Sequence, residues 1–210
     1  MRRHTALSAL AALLLAPAAI AWTSASEPLS LQPKSRLWIN GTSTVRAFEC
    51  SATAFETKVE SSAPGAVTAV LAGTKAVTSA AVVVPAEKLD CKNGTMNEHM
   101  RKALKAKDNP TITFRISTYE LTKAGNGVDG TAKGELTLGG VTKPITVTAH
   151  ATQEPGGVLR VTGSQEIKMT EWGLKPPTLM LGTLKVNELV KVSFDLLLKE
   201  GSATAVASTN

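Results

Sequence analysis

The chain has 210 residues, with 23 Lys and Arg against 17 Asp and Glu, and it is 43% hydrophobic but only 4% aromatic. That length is enough for one domain with a sizeable core. The formal charge of +6 is scattered along the chain rather than gathered into a basic stripe interleaved with aromatics, which argues against a nucleic-acid partner.

The N-terminus reads as a secretory signal. Arg2 and Arg3 precede an apolar run from Ala6 to Ile20, and Ala19-Ile20-Ala21 fits the small-x-small cleavage rule. The run spans about 15 residues, short of the ~20 that a membrane-crossing helix needs. The expected organisation is a signal over 1–21, a linker over 22–34, one β domain over 35–199 and a disordered tail over 200–210. Without Arg2 and Arg3, 21 basic and 17 acidic residues leave a charge of +4. The expected location is the periplasm or the exterior. The charge reads as solubility with a mild attraction to anionic surfaces, compatible with transient membrane contact.

Beyond the signal, alternation with a period of two dominates. It predicts strands over Arg36–Thr44, Ala47–Val59, Val67–Leu71, Val77–Val84, Thr111–Ile116 and Gly130–Leu138, then near Ile145–Ala149, Leu159–Val161 and Ser164–Thr170. In the last strand Val190, Val192, Phe194, Leu196 and Leu198 share a face, while Leu197 interrupts the polar side. Gly125-Asn126-Gly127, Gly139-Gly140 and Pro155-Gly156-Gly157 read as tight turns, so sequential strands should pair antiparallel. One helix is expected across this sheet of eight or more strands. Thr95 and Glu98 match a capping box, and Met96, Met100, Ala103 and Leu104 fall on one face, with His99, Arg101, Lys102 and Lys105 on the other. Asn109-Pro110 ends it. The stretch Trp172–Leu189 is too rich in Gly and Pro for a long element, yet Leu174, Leu179, Met180 and Leu181 make it an apolar cover over a core or a pocket mouth.

Cys50 and Cys91 are the two cysteines, and in an exported chain they most simply pair. The search for catalytic chemistry is negative. His99 and His150 are the histidines beyond the signal, the carboxylates are dispersed, and there is no nucleophile elbow, zinc-hydrolase motif, phosphate-binding loop or haem-attachment motif. No catalytic residue, metal site or cofactor is expected. Aliphatic strand faces suit either a barrel that holds one small ligand or one filled by its own side chains. A filled immunoglobulin-like sandwich also fits the strand count.

Several segments resemble the YceI-like family. They are Gly41-Thr42-Ser43-Thr44-Val45, then Met96-Asn97-Glu98-His99-Met100-Arg101-Lys102-Ala103-Leu104 with Asn109-Pro110-Thr111-Ile112-Thr113-Phe114. They continue with Gly134-Glu135-Leu136-Thr137-Leu138-Gly139-Gly140-Val141-Thr142-Lys143-Pro144, Met169-Thr170-Glu171-Trp172-Gly173-Leu174-Lys175-Pro176-Pro177 and the closing stretch Val192 to Leu198. The resemblance covers roughly Ser35 to Lys199. It implies an all-β, lipocalin-like antiparallel barrel of about eight strands with one helical insertion, holding an isoprenoid lipid such as a polyprenyl phosphate or a quinone as its ligand. Met96, Met100 and Leu104 on the helix, with Trp172, Leu174, Leu179 and Met180 on the loop, are the candidate pocket walls. His99, Lys143 and Lys175 are the candidate head-group contacts. The competing expectations are a filled barrel that docks an envelope partner and an enzyme acting on the bound lipid. A homodimer stays open.

Overall fold

The computed structural model describes residues 27–201 together with 207 and 208. The expected signal lies outside the described residues. Part of the expected linker does not: Glu27–Leu31 forms strand β1. In the expected tail, Ala207 and Ser208 pair with Phe55 and Ala54.

Chain order after β1 is β2 (Arg36–Thr42), β3 (Ala47–Ala52), β4 (Ala54–Ser61), helix α1 (Ala66–Leu71), β5 (Val77–Pro85), β6 (Leu89–Asp90) and helix α2 (Gly94–Ala103). The long strands β7 (Thr111–Ala124), β8 (Gly127–Leu138), β9 (Val141–Glu154) and β10 (Val158–Lys168) follow. A small hairpin, β11 (Thr178–Leu179) with β12 (Leu184–Lys185), precedes β13 (Leu189–Glu200). The pairing β1-β4-β5-β7-β8-β9-β10-β13 returns to β1, which closes an eight-strand antiparallel barrel. Closure leaves no exposed edge along that circuit.

The barrel closes because one edge of β13 serves two partners, the other edge pairing with β10. Lys191–Asp195 pairs with β2, and Leu198–Glu200 pairs with β1. At the handover the buried Ser35 hydroxyl accepts from the Leu197 N–H at 2.9 Å and donates to the Gln32 carbonyl at 2.8 Å. Leu197, which broke the alternation in sequence, marks this switch of partners. The predicted strand Ala47–Val59 is likewise split at Thr53, whose N–H and hydroxyl both donate to the Lys88 carbonyl. Past these breaks β2, β3 and β6 form their own run. No ladder joins β6 to β7, and α2 makes that connection instead.

Two short helices replace the one expected. Val67–Leu71 lies within α1 and runs to its last residue; it is not a strand. Ala66, Val67 and Val70 are buried on one side of it. The Glu200 carboxylate accepts from the Gly65 and Val67 N–H groups at 2.9 and 2.7 Å, which satisfies the helix start. That partner is 133 residues from Val67, so no local pattern announces it. In α2 the N-cap is Asn93 rather than Thr95: its Oδ1 accepts from the Met96 N–H at 3.0 Å. Asn is as good a cap as Thr, and the helix begins at Gly94, which places Thr95 inside the first turn.

The turns behave as their residues require. Gly139 and Gly140 have φ of 56° and 83°, the double positive of a two-residue hairpin turn. A bulge in β7 between Ile116 and Thr118 shifts its alternation. Ile112, Phe114 and Ile116 therefore share the inner face with Tyr119 and Leu121.

Candidate ligand-binding cavity

The barrel interior holds a cavity of about 510 Å³. It is apolar because inward positions repeat every second residue. Val190, Val192, Phe194, Leu196 and Leu198 on β13 line it, as do Ile145, Val147, Ala149 and Ala151 on β9. The space exists because some inward positions are small: Gly130 and Ala132 on β8, and Ala149 on β9 opposite Gly130.

The two ends differ. At one end Leu29 and Val70 close the cavity, beside the buried face of α1. At the other, four pieces meet. The β2–β3 hairpin tip hydrogen-bonds to the β11–β12 hairpin: the Thr44 N–H donates to the Lys185 carbonyl at 3.0 Å, and its hydroxyl to the Thr183 carbonyl at 2.8 Å. Arg46 Nη2 lies 4.0 Å from Met96 Sδ on α2. A Cβ on Gly139, in the β8–β9 turn, would collide with the Leu174 side chain and come within 3.4 Å of the Leu104 carbonyl. These elements frame the mouth.

α2 lies over this end as a lightly packed cover. None of its residues is buried, and Met96, His99, Met100 and Ala103 line the cavity at i, i+3, i+4 and i+7. The sequence assigned His99 to the polar side of the helix, whereas the structure puts it among the cavity residues. The Cys50–Cys91 disulfide ties β3 to the segment that launches α2. Both cysteines line the cavity, and Cys91 Sγ is 3.7 Å from Met100 Sδ. Asn97 fixes the same junction, accepting from the Cys91 N–H and donating to Asp90 Oδ1, each at 2.7 Å. That bond, with the Lys92 N–H, holds the Asp90 carboxyl below the ordinary carboxylate range.

The expected site residues do not all meet at the cavity. Met96, His99, Met100, Leu104 and Leu179 line the cavity. Trp172 and Leu174 are buried elsewhere in the core: the indole donates to the Leu136 carbonyl at 3.0 Å, and Leu174 sits under the β8–β9 turn. Lys143 and Lys175 are exposed and lie outside the lining. The Met180 side chain lies outside the described residues. His150 is bonded through Nδ1 to Asp129 at 2.7 Å, also outside the lining.

Sequence reasoning missed Arg46. Among the described residues that line the cavity, Arg46 and His99 are the basic groups and there is no carboxylate. The residue follows the family-like Gly41–Val45 stretch, and an Arg at a hairpin tip carries no local signal of a cavity. Deeper inside, Thr57 Oγ1 is buried without a hydrogen-bond partner, and Gln165 occupies an inward position of β10 between Val161 and Ile167. The lining as a whole can take up a long aliphatic chain, with a few polar groups to hold one end. Among the described residues no three His, Cys, Asp or Glu side chains converge as metal ligands.

Comparison with known proteins gives the same architecture. The model of the YceI-like domain matches residues 37–198. UPF0312 proteins of Shewanella baltica and Pseudomonas aeruginosa are 36% and 33% identical over 101 residues, which is 45% of this chain. The match spans about half the length of these curated relatives, 51% in each case. Among solved structures, BcnA of Burkholderia cenocepacia superposes with a TM-score of 0.61 at 22% identity, covering 78% of this chain and 96% of its own. A polyisoprenoid binding domain from Saccharophagus degradans superposes at 0.58 with 14% identity, covering 83% and 98%. With the family model matched across the barrel and α2, this chain belongs to the YceI-like domain family.

Proposed function

We propose that the protein holds a single isoprenoid lipid, its tail in the barrel and its polar head at the mouth beside Arg46 and His99, and acts as a carrier or buffer for it outside the cytoplasm. The observation that carries this reading is the apolar barrel cavity of about 510 Å³ with the basic side chains Arg46 and His99 at its mouth and no carboxylate in its described lining. The name of the Saccharophagus degradans domain, to which this barrel is similar in fold, points to the same ligand class.

The energetics favour a long chain. Each buried CH₂ contributes about 0.8 kcal/mol, so a few five-carbon units offset the ~4–15 kcal/mol lost on association. Branched aliphatic units suit walls of Val, Ile and Leu. Met96 and Met100, flexible and polarizable, adapt to a chain that bends at the mouth. No catalytic role is proposed. The external location rests on the signal-like residues 1–21.

Native mass spectrometry of the protein from its own host, followed by organic extraction, tests the proposal. A bound mass of a polyprenyl phosphate or a quinone is the expected result. An empty protein that stays empty after incubation with isoprenoid lipids would sink it and favour a barrel that serves as an interaction module.

A further inference from the structure

The large exposed hydrophobic side chains among the described residues are Val45, Leu181 and Leu189, and all three belong to the mouth end. Val45 is 69% exposed at the tip of the β2–β3 hairpin. Leu181 is fully exposed at the tip of the β11–β12 hairpin, to which the first tip is hydrogen-bonded through Thr44. Leu189 opens β13 just beyond, and the neighbouring Asn187 N–H donates to the Thr42 carbonyl. Leu181 is also held at φ 54°, ψ 30°, the left-handed region that β-carbon sterics disfavour. A leucine kept in a disfavoured backbone state and turned wholly into solvent serves neither the core nor the turn, which points to function.

The charge around these tips is net positive. Arg46, Lys168, Lys175, Lys185, Arg101 and Lys102 stand on or next to the mouth elements against Asp90, Glu98, Glu171 and Glu188. Lys168 pairs with Glu188 at 3.2 Å, which leaves the other cations facing solvent.

We infer that this end docks on an anionic bilayer, with Leu181, Leu189 and Val45 entering the boundary between head groups and acyl chains. Separate apolar tips among cations do not form the contiguous apolar centre of a protein interface. They do fit interfacial anchoring, in which a few side chains insert and basic residues meet anionic lipid heads. The cavity mouth lies between the same hairpins and would face the membrane, so a lipid could pass between them without crossing water. That consequence rests on the proposed lipid-holding function; the docking does not.

Sedimentation of the purified protein with phosphatidylcholine vesicles, with and without phosphatidylglycerol, tests docking independently of any isoprenoid. The expected result is co-sedimentation with the phosphatidylglycerol vesicles, weakened about tenfold by Leu181→Asp and by Leu189→Asp, the loss of roughly one leucine insertion. Neither residue lines the cavity, so both variants should still take up an isoprenoid from detergent. Failure of the unaltered protein to bind these vesicles, or binding that neither substitution changes, would overturn the inference. A concentration-dependent dimer broken by Leu181→Asp in the absence of vesicle binding would also overturn it and assign the tips to a protein contact.

Discussion

Nη2 of Arg46 lies 4.0 Å from Sδ of Met96, so the guanidinium of a hairpin tip rests against the first turn of the helix that covers the cavity. The contact brings a cation to the mouth of an aliphatic chamber whose described lining has no acid to pair with it. In the proposed function a ligand head would be that partner, and a phosphate would be the stronger one because charge-assisted bonds to Arg are bidentate and strong.

Arg46→Gln should therefore reduce affinity for a polyprenyl phosphate about tenfold, as expected for a partly solvated charged contact, and leave affinity for the corresponding polyprenol unchanged. Titration of both lipids in the same detergent measures this. Equal losses for the two would make Arg46 a packing residue rather than a head-group contact.

Ala149→Phe should block uptake of the chain without unfolding the barrel. Ala149 faces Gly130 across the β8–β9 ladder, and both line the cavity, so a ring there has room to sit in the void. Circular dichroism should be unchanged while extracted lipid falls to background. Met100→Glu should do the same by placing a carboxylate in the apolar lining. Normal uptake by either folded variant would mean that the cavity is not the binding site.

Replacing Cys50 and Cys91 by Ala should lower unfolding free energy by up to about 4 kcal/mol, the chain-entropy value for a closed loop of about 41 residues. Denaturant titration of the intact and substituted proteins measures the difference. Because the bridge anchors the launch of α2, amide exchange in α2 should rise more than in β8 or β9.

Thr57→Val should stabilise the protein by about 1 kcal/mol. The Thr57 hydroxyl is buried without a partner, and Val removes it at nearly constant volume. A loss of stability on denaturant titration would show that the hydroxyl has work inside the cavity.

Acid should loosen the α2 junction. The Asp90 carboxyl is held below its ordinary range by the bonds from Asn97 and the Lys92 N–H. Its contribution is therefore complete above the unfolded carboxylate pKa and is lost as pH falls through the lower folded value. Exchange at the Cys91 and Lys92 amides should rise below about pH 4, and Asp90→Asn should flatten that dependence.

The amino-acid sequence by itself determined the class of fold, the turns and the character of the interior. Alternation of aliphatic residues is a local property: Val190, Val192, Phe194, Leu196 and Leu198 face the cavity as their spacing demanded. The Gly139-Gly140 hairpin and the Met96/Met100 face of α2 are local in the same way, and Cys50 and Cys91 are bonded as their number suggested. Where the partner is remote, local reading failed. Only the tertiary structure brought Glu200 to the start of α1, used Ser35 to pass β13 from β2 to β1, and set Arg46 rather than Lys143 or Lys175 at the cavity mouth. The physical reason is that alternation and turn propensity depend on neighbouring residues, whereas helix capping, barrel closure and the arrival of Arg46 at the cavity depend on groups that only chain folding brings together.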